Sequence, residues 1–150
     1  MLHVLCRIGR DAYAIPGTAV ERILPFAALK ELPGAEHGLA GLLNYRSEAV
    51  PVADLCLILT GTRARELIST RIFLCPLAES PSGWLGLLAE GVTKTQDFSP
   101  ESFQAAGVAG RSCLEGVAPS LGGLVQRIAI RKVLPDGLLA ALDLPARFPA

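Results

Sequence analysis

Residues 41–55 read GLLNYRSEAVPVADL, and they decide the fold because a turn, an apolar strand and several recognition side chains occur together there. The polar interruption at 44–48 predicts a hairpin tip, since Asn and Ser favour turns by hydrogen-bonding their own backbone. The run at 49–53 is apolar at odd and even positions alike, which is typical of a strand covered on both faces. Pro51 has no N–H to donate, so we expect this strand at a sheet edge or at a bulge.

Arg46 lies at the centre of the predicted tip. A guanidinium at this place, between Asn44 and Glu48, is suited to bind a carboxylate or the backbone carbonyls of another protein. Asp54 ends the strand, and we expect its carboxylate to reach back and orient Arg46. Two alternatives stay open for Arg46, namely a solvated loop arginine and an internal salt bridge to Asp54.

The composition predicts a single domain over residues 1–150. The AVILMFWYC set makes up 51% of the chain and charged residues only 19%, which excludes intrinsic disorder and leaves apolar residues for an exposed partner patch. Fourteen Lys and Arg balance fourteen Asp and Glu, for a formal net charge of zero. Without a basic run or excess positive charge, nucleic acid is excluded as a partner.

The sequence also predicts a cytoplasmic protein with no direct membrane insertion. The N-terminal stretch lacks the pattern of a signal peptide, and no window approaches the roughly 18 apolar residues of a membrane span. The cysteines are far apart and form no C-x-x-C pair, so we expect buried free thiols and no metal site. They are Cys6, Cys56, Cys75 and Cys113.

Residues able to catalyse a reaction are scarce. The chain has two histidines, His3 near the N-terminus and His37 in a predicted loop. The Gly-rich segment at 121–123 lacks the Lys and Ser/Thr of a phosphate-binding loop, and Glu90 has no acidic partner at a readable spacing. We therefore expect no cofactor and no catalytic activity.

Turn signals at regular intervals predict about ten short strands in two groups of five, which favours small barrels over a βαβ fold. The polar loop at 60–66 divides the two groups. The first subdomain is expected over roughly 15–65 together with the terminal segments, and the second over roughly 66–130. Helices are predicted from Ser99 to Gly107 and over 135–144, where leucines form one stripe.

The pattern of residues 41–55 resembles G-x-x-N-x-R-G-x-x-x-P-[VI]-x-D-L, the hallmark of the CheW-like coupling domain. Upstream, YAIP at 13–16 and VERI at 20–23 are similar to the family's Y-x-[IV]-P and V-x-E-I. Downstream, residues 70–72 and 86–92 extend the resemblance over nearly the whole chain. Ser47 stands where the family usually has Gly, and Arg22 stands where it often has Glu.

The resemblance implies an all-β fold of two five-stranded SH3-like barrel subdomains with one or two short helices. It further implies a non-catalytic adaptor that couples the tip of a methyl-accepting chemoreceptor to the regulatory domain of a CheA-type histidine kinase. Partner contacts are implied at two places. They are the strand residues Val20 and Arg22, and the hairpin residues Asn44, Arg46, Ser47, Glu48 and Asp54.

Segments at 23–26, 29–33, 64–72 and 123–128 resemble the coupling proteins of Wsp-type surface-sensing pathways. That resemblance implies a pathway whose response regulator makes cyclic di-GMP. The alternative is a small-ligand-binding or enzymatic β-barrel with its pocket between the two barrels. The absence of titratable groups from the apolar strands argues against this alternative.

Overall fold

Ten short strands and two short α-helices make up the computed structural model, which describes residues 1–32, 38–105, 113–120, 122–145 and 147–148. The strands are β1 (Leu2–Ile8), β2 (Asp11–Pro16), β3 (Arg22–Pro25), β4 (Leu39–Tyr45), β5 (Glu48–Asp54), β6 (Arg71–Pro76), β7 (Trp84–Ala89), β8 (Lys94–Asp97), β9 (Leu114–Ser120) and β10 (Gly123–Ile128). The helices are α1 (Leu55–Thr60) and α2 (Leu138–Ala141).

The strands form two five-stranded sheets with the same pattern of pairing. The first sheet has the order β3-β6-β7-β5-β4, and the second has the order β8-β1-β2-β10-β9. Each sheet has a central hairpin whose second strand pairs in parallel with a strand from elsewhere in the chain. In the first sheet β7 of the hairpin β6–β7 pairs with the earlier strand β5, and in the second sheet β2 of the hairpin β1–β2 pairs with the later strand β10. The predicted all-β fold of two five-stranded units with few short helices is confirmed.

The division of the strands between the sheets corrects the expected boundary near residue 65. Strands β6 and β7 belong with β3–β5, and β8–β10 join the N-terminal hairpin β1–β2. The polar stretch at 60–66 begins at the end of α1 and lies before β6, and nearly all of it is exposed, so its polarity reflects contact with solvent and marks no boundary. Pairing between strands that are far apart in the chain leaves no local signal in the sequence. The sequence therefore did not indicate which strands belong to which sheet.

Alternating side chains of the strands fill a core shared by the two sheets and a smaller core on the other face of each sheet. In β7, Leu85, Leu87 and Ala89 contribute to the shared core, whereas Leu88 contributes to the small core of the first sheet. Gly86 allows β5 to approach β7 closely, because a Cβ there would lie 2.9 Å from Cγ2 of Val52. Period-two alternation therefore produces strands buried on both faces.

Strand β5 was expected at a sheet edge or at a bulge, but it lies inside the first sheet, between β4 and β7, and the register shift of the β4–β5 pair falls between Leu39 and Gly41 and not at Pro51. Pro51 pairs with Leu42 of β4, but the parallel pairing with β7 begins only at Val52. The N-terminal half of β5 is thus paired to β4 on one side and not to β7 on the other. Pro51 is tolerated because it lies in this half.

The helices are shorter than predicted. Helix α2 covers Leu138–Ala141 within the expected 135–144, because the left-handed Gly137 precedes it and the extended Leu142 ends it. The predicted helix after Ser99 is a single 3₁₀ turn, Pro100–Ser102. The expected helix end at Gly107 and the loop residue His37 lie outside the described residues.

Candidate functional site

The hairpin tip, residues 44–48, contains the two-residue turn that joins β4 to β5. Tyr45 and Glu48 are the last paired residues, and the two residues between them have positive φ, 50° at Arg46 and 68° at Ser47. This is the type I′ geometry that suits a tight hairpin. The side-chain Oδ1 of Asn44 accepts a hydrogen bond of 3.0 Å from the Ser47 N–H and holds the turn. Glycine adopts such a backbone most easily, so Ser47 is accommodated here at an energetic cost.

Two aromatic rings support Arg46 at the tip. The guanidinium carbon lies 5.2 Å from the centroid of the Tyr45 ring, and Tyr45 contacts Trp84 of β7 edge to face at 6.4 Å. Arg46 is exposed and forms no ion pair with any residue that the structure describes. A guanidinium placed over a ring keeps its N–H groups available to an acceptor from outside.

Asp54 does not orient Arg46, which corrects the prediction. From Glu48 to Asp54 the chain runs six residues along β5, roughly 20 Å at the usual rise of a strand. Asp54 is only 3% exposed, and its carboxylate accepts hydrogen bonds from Leu57 N–H at 3.1 Å and Ala64 N–H at 2.9 Å. It is therefore the N-cap of α1 and an anchor of the following loop.

Val20 and Arg22 lie apart from the hairpin tip. Strand β3 begins at Arg22, so Val20 precedes it and packs in part against the shared core. Arg22 is exposed on the edge strand β3 and pairs with Leu74 of β6. The same row of paired residues continues across the sheet to Val52 of β5. Since Arg46 is six residues from Val52 along the hairpin, the predicted contacts form two surfaces, the hairpin tip and the β3 edge around Arg22.

A third feature, which the sequence did not predict, is the loop at 61–70, whose conformation is held by hydrogen bonds to Glu90 and Thr70. Glu90 is 8% exposed, and its carboxylate accepts bonds from the Arg65 N–H at 2.7 Å and from the guanidinium at 3.0 and 3.2 Å. Burial alone would raise the pKa of Glu90, but these bonds outweigh it and lower that pKa. The buried Thr70 hydroxyl donates to the Arg65 carbonyl and fixes the loop end. The loop holds Ile68 with 93% of its surface exposed.

The four cysteines and His3 are buried. Burial raises the pKa of the Cys6, Cys56 and Cys75 thiols to about 12, so they are protonated at neutral pH. Burial also lowers the pKa of His3, whose ring lies 5.3 Å from that of Phe98. Within the ranges that the structure covers, no three His, Cys, Asp or Glu side chains come together as a metal site.

The space between the two sheets, where the alternative hypothesis placed a ligand pocket, is filled by packed side chains. Ile15 of the second sheet and Phe73 and Leu87 of the first belong to one continuous apolar core, and all three are fully buried. In the part of the chain that the structure describes, no helix is long and apolar enough to cross a membrane.

Comparison with known proteins settles the family. The CheW-like domain description matches residues 2–137, which is most of the chain. The chain belongs to the CheW-like domain family. A solved structure, the scaffolding protein TtCheW from Thermoanaerobacter tengcongensis, superposes with a TM-score of 0.75 over 86% of this chain and 84% of that one. The sequence identity is 16%, so this likeness shows the fold alone. No curated protein sequence matches the chain.

Membership of the CheW-like family also decides the general function. The family consists of non-catalytic scaffolds of chemotaxis signalling, so this protein is an adaptor and the prediction that it is not an enzyme is confirmed. CheW-like scaffolds connect chemoreceptors with the CheA kinase in general.

Proposed function

We propose that this CheW-like protein couples a methyl-accepting chemoreceptor to the regulatory domain of a CheA-type histidine kinase, in the cytoplasm and next to membrane receptor arrays. In this proposal the hairpin tip binds one partner and the β3 edge binds the other. The observation that carries it is Arg46, an exposed guanidinium supported by Tyr45 and left without an ion pair among the described residues.

The tip is suited to binding because its geometry is fixed before a partner arrives. The Asn44 side chain holds the turn, and the Tyr45–Trp84 contact joins the tip to β7. Less conformational entropy is therefore lost when a carboxylate binds Arg46 than with an arginine on an irregular loop. Arginines on such rigid supports are common among the residues that dominate protein interfaces.

Arg46→Ala is expected to weaken the binding of one partner by about 1–3 kcal/mol, with little effect on folding, because the substitution removes a charge-assisted contact at an exposed turn. Calorimetric titrations with a receptor tip fragment and with a kinase regulatory domain measure the effect. Arg22→Ala is tested against the same two partners, and we expect it to weaken the binding of the partner that docks on the β3 edge.

Arg10→Ala is the matched control. Arg10 is an exposed arginine in the turn between β1 and β2, at a hairpin of the second sheet. The Arg10→Ala substitution should leave the affinities for the receptor tip fragment and for the kinase regulatory domain unchanged. Equal affinities for wild type and the Arg46 variant would show that the tip is not a binding site, and a large drop in melting temperature would assign Arg46 a structural role instead.

A finer proposal concerns the pathway. The sequence segments similar to Wsp-type coupling proteins support a dedicated receptor and kinase whose response regulator makes cyclic di-GMP. Arg22 supports the same proposal, since it is exposed at the β3 edge where the family often has Glu. A partner adapted to a carboxylate would present a cation there, and two like charges would then face each other.

The protein is therefore expected not to replace the adaptor of a flagellar chemotaxis system. Expression in a strain that lacks its flagellar adaptor tests this, with swimming on soft agar as the measurement. Normal chemotactic swimming would refute the separation of pathways, although the adaptor function itself would stand. Arg22→Glu is the informative companion, because it should improve binding to the flagellar kinase if the charge at this position decides the partner.

A further inference from the structure

Residues 147 and 148 lie against the hairpin tip. Arg147 forms an antiparallel bridge with Glu48, the first residue of β5. The Phe148 N–H donates a hydrogen bond to the Ser47 carbonyl, and the Arg147 guanidinium lies 4.0 Å from the Glu48 carboxylate. Two residues from the far end of the chain thus extend the first sheet at the tip.

The place that they occupy is an open edge of the sheet. Strand β7 pairs with β5 only from Val52 to Asp54, so the side of β5 that faces away from β4 lacks β7 near Glu48. An open strand edge is a site where an extended segment of another chain can add by backbone hydrogen bonds. Here the segment comes from the same chain.

We infer that the C-terminal segment at Arg147–Phe148 is a displaceable strap over the hairpin tip, and that a partner's extended strand takes its place when it binds. This inference rests on the proposed function, in which the tip is a binding surface. The strap covers Ser47 and Glu48 directly, two of the residues on which a partner would have to dock.

The contacts of the strap are suited to release. The Arg147 side chain is 75% exposed, and ion pairs of exposed arginines contribute little to stability. The remaining contacts of the strap are one short stretch of backbone pairing with Ser47 and Glu48. A partner strand that makes more backbone hydrogen bonds along β5, and places a carboxylate near Arg46, would displace it.

The test uses the full chain and four variants. Arg147→Glu places two carboxylates opposite each other and should release the strap, while Phe148→Pro removes the donor N–H. Arg147→Lys keeps the charge, and Arg131→Glu makes the same charge change at an exposed site away from the tip. Binding is measured with the receptor tip fragment and with the kinase regulatory domain. For the one that docks on the hairpin tip, we expect roughly 3- to 10-fold tighter binding to the two releasing variants and wild-type affinity for the two controls.

Hydrogen exchange at the Phe148 amide, followed by NMR, measures the strap without any partner. We expect protection in the wild type and in Arg147→Lys, and loss of protection in Arg147→Glu. An unprotected amide in the wild type, or equal partner affinity in all variants, would overturn the inference. If the amide is protected but neither the wild type nor any variant binds a receptor or a kinase, the proposed function is wrong. The inference that a partner displaces the strap is then wrong as well.

Discussion

Gly91→Ala should lower the free energy of unfolding by roughly 3 kcal/mol, because two penalties add at this residue. Gly91 has φ +64°, a left-handed backbone that costs an L residue about 1–2 kcal/mol. Its added Cβ would also lie 2.6 Å from the carbonyl oxygen and 3.0 Å from the nitrogen of Arg7 in β1. Backbone atoms cannot turn aside as a side chain can, so the clash adds about 1–3 kcal/mol.

The position of Gly91 explains why the effect matters for the whole fold. The residue follows β7 of the first sheet and precedes β8 of the second, and its carbonyl accepts a hydrogen bond of 3.2 Å from the Arg7 N–H. A displaced β1 would disturb the core that both sheets share. We expect the binding surfaces on the first sheet to survive in the fraction of molecules that remains folded.

Gly83→Ala is the control for Gly91→Ala. Gly83 has φ +80°, but a Cβ there would have no atom within 4 Å. Only the backbone penalty of about 1–2 kcal/mol then applies. Urea unfolding of both variants measures the difference, and equal losses of stability would show that the close contact with β1 has no energetic weight.

The sequence predicted the elements that depend on local patterns. The hairpin tip followed from the polar residues at 44–48, and the burial of β5 followed from apolar residues on both faces. Such features depend on neighbours within a few residues, and side-chain direction in a strand repeats every two residues.

Features that depend on distant pairing were missed. Strand β8 reads KTQD, a polar edge strand without an apolar signal, and it is recognisable only by its pairing with β1. The bridge between Glu48 and Arg147 joins residues at distant positions in the chain. No periodicity in either segment indicates the other, so the strap could not be predicted from the sequence.

Asp54 is an intermediate case, because a local signal was present and was interpreted differently. An Asp before the run LCLILT and a Gly after it are the start and stop signals of a short helix. The structure uses both, since Asp54 caps α1 and Gly61 ends it with φ 80°. The five apolar residues between these two signals suit a strand as well as a helix, so the apolar run alone does not predict α1.

Asp54→Ala should lower the free energy of unfolding by about 3 kcal/mol, since it removes two hydrogen bonds from backbone N–H groups to a buried carboxylate. Asp54→Asn is the matched variant, and we expect about half that loss because the amide oxygen can replace one acceptor only. Thermal and urea unfolding measure both variants.

A double-mutant cycle with Arg46→Ala separates this structural role from the one that the sequence suggested. Asp54 is roughly 20 Å along β5 from Glu48, and Arg46 lies beyond Glu48 in the turn, so the effects of the two substitutions on stability and on partner binding should add within about 0.5 kcal/mol. Asp54→Ala should weaken binding only as far as it unfolds the protein, whereas Arg46→Ala should weaken binding of the folded protein. A coupling energy well above that limit would mean that the carboxylate reaches the tip after all, in a conformation where α1 has lost its cap.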